Sequence, residues 1–275
     1  MGELRPLRTS SHLMNVPLPF SFDWIWSIMW TLLRVSGFFI VAPFWGHRAI
    51  PPAIKIPVIL ALSVSIGPIV AGLGPVQPDS LWTAGGWALR EVMIGGLIGF
   101  CFATLFWAIR MAGDLIGLQM GFSIVNVIDP SSTEQVSLIG EFKYILAMLI
   151  LLILDGHHLM IAALVDTYKV APIGGGQFGN ATLDAVIRIS AATFVSAIKI
   201  GAPVIITLLL TDVVMGIVSR TVPQMNIFIV GFPVKIGVGF LILSASLPFL
   251  TQIFGRSLWQ IQADTQRVIA ALAHP

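Results

Sequence analysis

Residues 236–254 run for 19 positions without a charged side chain, and residues 92–109 run for 18. A stretch of about 20 apolar residues is what a helix needs to cross the roughly 30 Å hydrocarbon core of a bilayer. Weaker candidates lie around these two. Residues 22–42 carry Asp23 at one edge and Arg34 inside; residues 56–73 are interrupted by Pro57 and Pro68. Residues 144–165 are broken by Asp155-Gly156-His157-His158, and residues 185–211 hold Arg188, Lys199 and Pro203. An interior arginine costs up to ~3 kcal/mol on insertion, while each strong apolar residue returns only ~0.3–0.6 kcal/mol. The first helix is therefore marginal alone and calls for a protein partner around Arg34.

Composition removes the competing classes. Only 10% of the 275 residues are charged and 56% are apolar, with a mean hydropathy of +0.93. A soluble domain carries about 25% charged residues, so an ordinary soluble enzyme is excluded. The 15 Lys+Arg against 13 Asp+Glu leave neither a nucleic-acid footprint nor the charge of a disordered chain. The expectation is one all-α polytopic membrane unit spanning residues 1–275, with a tail at 1–20, a core at 21–254 and a C-terminal amphipathic helix at 255–275. Leu258, Ile261, Val268 and Leu272 form a stripe on that last helix, suited to a membrane surface or a partner. At the other end, Arg5 and Arg8 precede a Trp-rich run with no small-residue cleavage site, which reads as a retained first helix. Arg48, Lys55, Arg110, Lys143, Arg220 and Lys235 would fall on one side of the membrane, and Arg5, Arg8, Lys169, Arg256 and Arg267 on the other. That near-balance sets no orientation.

Few residues suggest chemistry. The single Cys101 sits in an apolar run and reads as core packing. Asp155, Gly156, His157 and His158 form a polar break at membrane depth, where ionisable groups are functional by default. A hydrogen-bonded helix break explains the same residues. No metal is expected there: adjacent histidines diverge by about 100° on a helix, and no further Cys/His cluster supplies a third ligand. Gly174-Gly175-Gly176 lacks the Lys-Ser/Thr of a phosphate loop and reads as a turn, and there is neither a nucleophile elbow nor a nucleotide motif. Gly113, Gly117 and Gly121 recur every four residues, as do Gly95 and Gly99, giving small faces where another backbone can approach. Between two spans, residues 121–128 are too apolar for a solvated loop, and Pro130 disfavours helix at Asp129. Non-helical apolar backbone at membrane depth is tolerated only inside protein or along a cavity. The segment reads as a re-entrant loop or plug, with an interfacial loop as the alternative.

These residues together resemble a known family. Arg34-Val35-Ser36-Gly37 with Ala42-Pro43, Glu91 with Ile94-Gly95, and Gln119-Met120-Gly121-Phe122 with Asp129-Pro130 carry the first part of the resemblance. Asp155-Gly156-His157-His158, then Ser219-Arg220 and Pro223-Gln224-Met225-Asn226-Ile227-Phe228, complete it. In order and spacing the chain is similar to the FliR family of flagellar export-gate proteins. The resemblance implies broken helical hairpins assembled in a hetero-oligomeric type III export gate with FliP and FliQ and beside FlhB. The place it implies is the bacterial inner membrane at the flagellar basal body, and the cargo it implies is unfolded flagellar protein. No cofactor, metal or enzymatic step is implied.

It further implies that Gly121, Phe122, Ile124, Val127, Ile128, Asp129 and Pro130 plug the channel. Where the family has an aromatic-rich loop, this chain places the aliphatics Ile124, Val125, Val127 and Ile128 after Phe122. Arg34, Glu91, Gly95, Gly99, Gly113, Gly117, Arg220, Pro223, Gln224 and Asn226 are the expected assembly and packing residues. Two other classes compete: a proton-coupled transporter using Asp155, His157 and Lys199, and a metal-dependent intramembrane enzyme built on His157 and His158.

Overall fold

The computed structural model describes residues 22–47, 49–73, 77–122, 137–224 and 226–272. Among them the regular structure is helical: α1 (Phe22–Val41), α2 (Pro52–Val70), α3 (Leu81–Met120), α4 (Leu138–Ile153), α5 (Gly156–Val170), α6 (Asn180–Thr221) and α7 (Ile227–Ala271). Among the described residues, five helices are long and apolar enough to cross a membrane, and the bent pair α4–α5 could make a sixth crossing.

Apolar runs predict where helices form but understate their length. The 18-residue run at 92–109 lies inside a 40-residue α3, and the last run lies inside a 45-residue α7. At about 1.5 Å per residue these helices, with the 42-residue α6, extend about 60–68 Å. That is about twice the hydrocarbon core, so none of them lies wholly within a bilayer it crosses upright. The helix expected to begin at 255 is not separate, because α7 continues unbroken through it. Its stripe is committed inside the chain: Leu258, Val268 and Leu272 are buried, with Phe254 and Ile269 beside them.

α3 is the axis of the molecule, packing against α1, α4, α5, α6 and α7. Its most apolar window is 67% buried, against 11% for that of α7. The main core joins Val35 and Phe38 of α1 to Ile98, Phe102 and Phe106 of α3, Leu151 of α4, Leu164 of α5 and Phe254 of α7. The faces left outward on α6 and α7 are strongly apolar, with Leu210, Val213, Ile217, Ile229 and Leu241 all more than half exposed. Pro203 sits inside α6, and Pro233 and Pro248 inside α7. Membrane helices tolerate such residues where neighbours satisfy the freed backbone.

The break at Asp155 is a true bend. Asp155 adopts a left-handed conformation (φ 52°), and α4 and α5 meet at 74°. Gly156 follows because a Cβ there would strike Leu151 and approach Leu258 of α7 to 3.1 Å.

Candidate functional site

Arg34 and Glu91, costly at apolar depth if unpaired, are both fully buried and face each other. Arg34 Nε donates to Glu91 Oε2 at 2.6 Å, Nη1 to Thr167 Oγ1 at 2.9 Å and Nη2 to the Ala171 carbonyl at 2.9 Å. The guanidinium carbon lies 3.9 Å from the centre of the Tyr168 ring. Glu91 Oε1 in turn accepts from the Gly174 amide at 3.1 Å. Arg90 donates to the Gly174 carbonyl, and the Trp87 ring occupies the space a Cβ at Gly174 would need. Gly174 has φ +72°, so only glycine sits there without strain. The glycine run is thus a turn gripped by three side chains of α3. The whole cluster ties α1 and α3 to α5 and the turn after it. Thr167 and Tyr168 were not legible as its members.

The small faces of α3 meet backbone. Gly95 lies against the Arg34 carbonyl, and Gly99 would place a Cβ 2.9 Å from the Phe38 carbonyl and the Ala42 amide. Gly113 would place one 2.5 Å from Gly140 Cα, and Gly117 one 3.0 Å from Ser137 Oγ. One face therefore seats α1, and the other seats the start of α4.

That second contact sets the root of the apolar loop. Gly121 ends α3 in the left-handed region (φ 92°), and its backbone turns back on Gly117 and Leu118. Ser137 caps α4, accepting from the Gly140 amide at 3.1 Å. Ser137 lies beside Gly117, one turn before Gly121, so the start of α4 sits at the end of α3. Phe122 packs edge-on against Phe240 of α7 at 6.4 Å, over a cluster of Ile116, Met120, Ile139, Leu208 and Leu243. Charges flank the root: Gln119 donates to Asp212 at 3.2 Å, Lys235 pairs with Asp212, and Arg110 lies 3.5 Å from Glu141. Of the expected plug, Gly121 and Phe122 are placed here; Ile124, Val127, Ile128, Asp129 and Pro130 lie outside the described residues.

The remaining expected residues are not in these clusters. Arg220, Pro223, Gln224 and Asn226 sit exposed at the α6–α7 turn, and the Arg220 side chain has no hydrogen bond or ion pair among the described residues. Asn226 starts α7, its carbonyl accepting from the Ile229 and Val230 amides. Met225 lies outside the described residues. Asp155, His157 and His158 cluster at the α4–α5 bend. Lys199, exposed on α6, makes no hydrogen bond or ion pair with them among the described residues, so the transporter constellation is not assembled there.

One residue was missed outright. Lys143 is 3% exposed and faces a small space lined by Pro203, Ser246 and Leu250, with no ion pair among the described residues. A lysine inside an apolar stretch was its only signal.

Comparison with known proteins settles the family. The sequence model for bacterial export proteins, family 1, matches residues 25–261. The chain belongs to this family of bacterial export proteins. It is 33% identical to the flagellar biosynthetic protein FliR of Bacillus subtilis (strain 168), a match covering 87% of this chain and 93% of that protein. The FliR protein of Escherichia coli (strain K12) is 31% identical, with 83% and 87% covered. That of Aquifex aeolicus (strain VF5) is 30% identical, with 83% and 88% covered. In this export family member the matched region takes in the buried Arg34–Glu91 cluster, the loop root and the α6–α7 turn.

Proposed function

We propose that this chain is a core, non-enzymatic subunit of the flagellar type III export gate, forming and plugging the path by which unfolded flagellar proteins cross the bacterial inner membrane. The observation that carries this reading is the family match from residue 25 to residue 261, joined to relatives whose names place them in flagellar biosynthesis. The geometry suits the role. Three helices about twice as long as the bilayer core, and apolar faces on α6 and α7 wider than this chain covers, are what a subunit packed among other helices needs.

In this reading FliP and FliQ cover those faces, FlhB adjoins them, and the α6–α7 turn around Arg220, Pro223, Gln224 and Asn226 meets a neighbouring subunit. The loop rooted at Gly121 and Phe122 closes the path at rest through Ile124, Val127 and Ile128, because water and ions are unstable in an apolar constriction. Asp129 and Pro130 end the apolar stretch and let the backbone leave helical geometry.

Co-expression with FliP and FliQ, followed by purification on a tag carried by this chain, should yield one large hetero-oligomer. Recovery of this chain alone under conditions where FliP and FliQ assemble would count against membership in the gate. Changing Ile124 and Ile128 together to Asn should leave that complex assembled and make cells expressing it leak small solutes. An assembled complex as tight as the parent would place the seal in another subunit.

A further inference from the structure

We propose that Asp155, His157 and His158 bind one divalent transition-metal ion at the bend between α4 and α5. Adjacent histidines leave a helix in different directions, and His157 and His158 both lie in the first turn of α5, yet their rings lean toward each other. Asp155 is left-handed, the chain turns by 74°, and the two imidazole rings converge to 4.1 Å between centroids. One potential ligand atom from each of the three residues lies within 4.8 Å of the others.

His158 Nδ1 stands 3.6 Å from Asp155 Oδ1. That is too long for a hydrogen bond. It is close to the about 3.4 Å that separates two ligands each held at about 2.05 Å in a tetrahedral shell. The third ligand atom lies within 4.8 Å of the other two, so closing the shell calls for side-chain rotation at the site. His157 Nδ1 is buried and has no hydrogen-bond partner among the described residues. A buried ring nitrogen left unpaired is costly, and coordination at that atom supplies the missing partner.

Two imidazoles and a carboxylate select zinc, copper or nickel over magnesium or calcium. The positive end of the α5 dipole opposes a cation here, and the Asp155 carboxylate offsets it. The Asp155 and His158 side chains are 77% and 72% exposed, so the remaining coordination positions open to water or to a donor from another molecule. A bound ion would fasten the first turn of α5 to the left-handed residue before it and so stiffen the bend. All three ligands come from four consecutive residues, so the site needs no other subunit and stands apart from the export reading.

The test uses the full chain purified in detergent, titrated calorimetrically with Zn2+ and, in parallel, with Mg2+. The expected result is saturation at one Zn2+ per chain with no saturable Mg2+ binding. His157→Gln and His158→Asn should each weaken Zn2+ at least tenfold. Asp155→Asn should do the same while keeping the turn, because Asn tolerates the left-handed conformation. Binding as tight in the double variant His157→Gln/His158→Asn would move the ion elsewhere and overturn the proposal, as would failure of the parent to bind. A second measurement needs no variant: Zn2+ should protect His157 and His158 of the parent protein from diethylpyrocarbonate, read by mass spectrometry. Unchanged reactivity of both histidines would equally overturn it.

Discussion

Arg34 shows how a single residue can threaten insertion and still hold the fold together. All three of its guanidinium nitrogens have protein partners, and Glu91 uses both carboxylate oxygens. Removing one member strands the other, and breaking a buried pair this way costs about 3–5 kcal/mol. Arg34→Leu should therefore lower the midpoint of thermal unfolding in detergent sharply. The double variant Arg34→Leu/Glu91→Leu should regain much of the loss, since no charge is then left dry. Equal losses in the single and double variants would show that packing around Tyr168, not the pair, sets the cost. That both residues need satisfying is readable from hydropathy alone. That they satisfy each other across 57 positions, with Thr167 a further 76 on, is not. Lys143 was missed for the related reason that its burial comes from α6 and α7 closing over it.

At the level of elements, the glycine periods of α3 were readable as close-packing faces, but not which helix each face receives. Gly113 meets the backbone of α4 closely: an added Cβ would stand 2.5 Å from Gly140 Cα. Overpacking of a filled interface costs typically ~1–3 kcal/mol, and backbone on the far side gives less than a side chain would. Gly113→Leu should push α4 away and raise protease cleavage between residues 121 and 137 several-fold. Gly117→Ala, which meets side chains alone among its nearest atoms, the Ser137 hydroxyl at 3.0 Å and Ile139 at 3.8 Å, should change cleavage little. Equal behaviour of the two would show that the α3–α4 contact is loose. The break at Asp155 was visible as polar residues in an apolar run. Its 74° angle goes with the left-handed backbone of Asp155, and the approach of the two histidine rings with their side-chain torsions, neither of which residue types specify.

For the whole molecule the decisive fact is uneven burial. α3 is enclosed, while α6 and α7 turn Leu210, Val213, Ile217 and Leu241 outward. Water cannot be the solvent of such faces, so lipid or other subunits must cover them. Leu210→Arg on the outer face of α6 places a charge that costs up to ~3 kcal/mol at membrane depth. It should cut the yield of the co-purified complex severalfold while leaving the Arg34–Glu91 cluster intact, monitored by unchanged unfolding of the isolated chain. Full assembly of this variant would mean that the face looks into an aqueous path. By itself the sequence determined the membrane class, the helical content, the positions of the helices and the break at Asp155, because hydropathy and backbone satisfaction act over one or two turns. Only the tertiary structure decided which buried charges pair, which glycine face meets which helix, how far each helix extends beyond its apolar run, and that His157 and His158 meet. Those outcomes depend on where helices cross in space, and residues remote along the chain set the crossings.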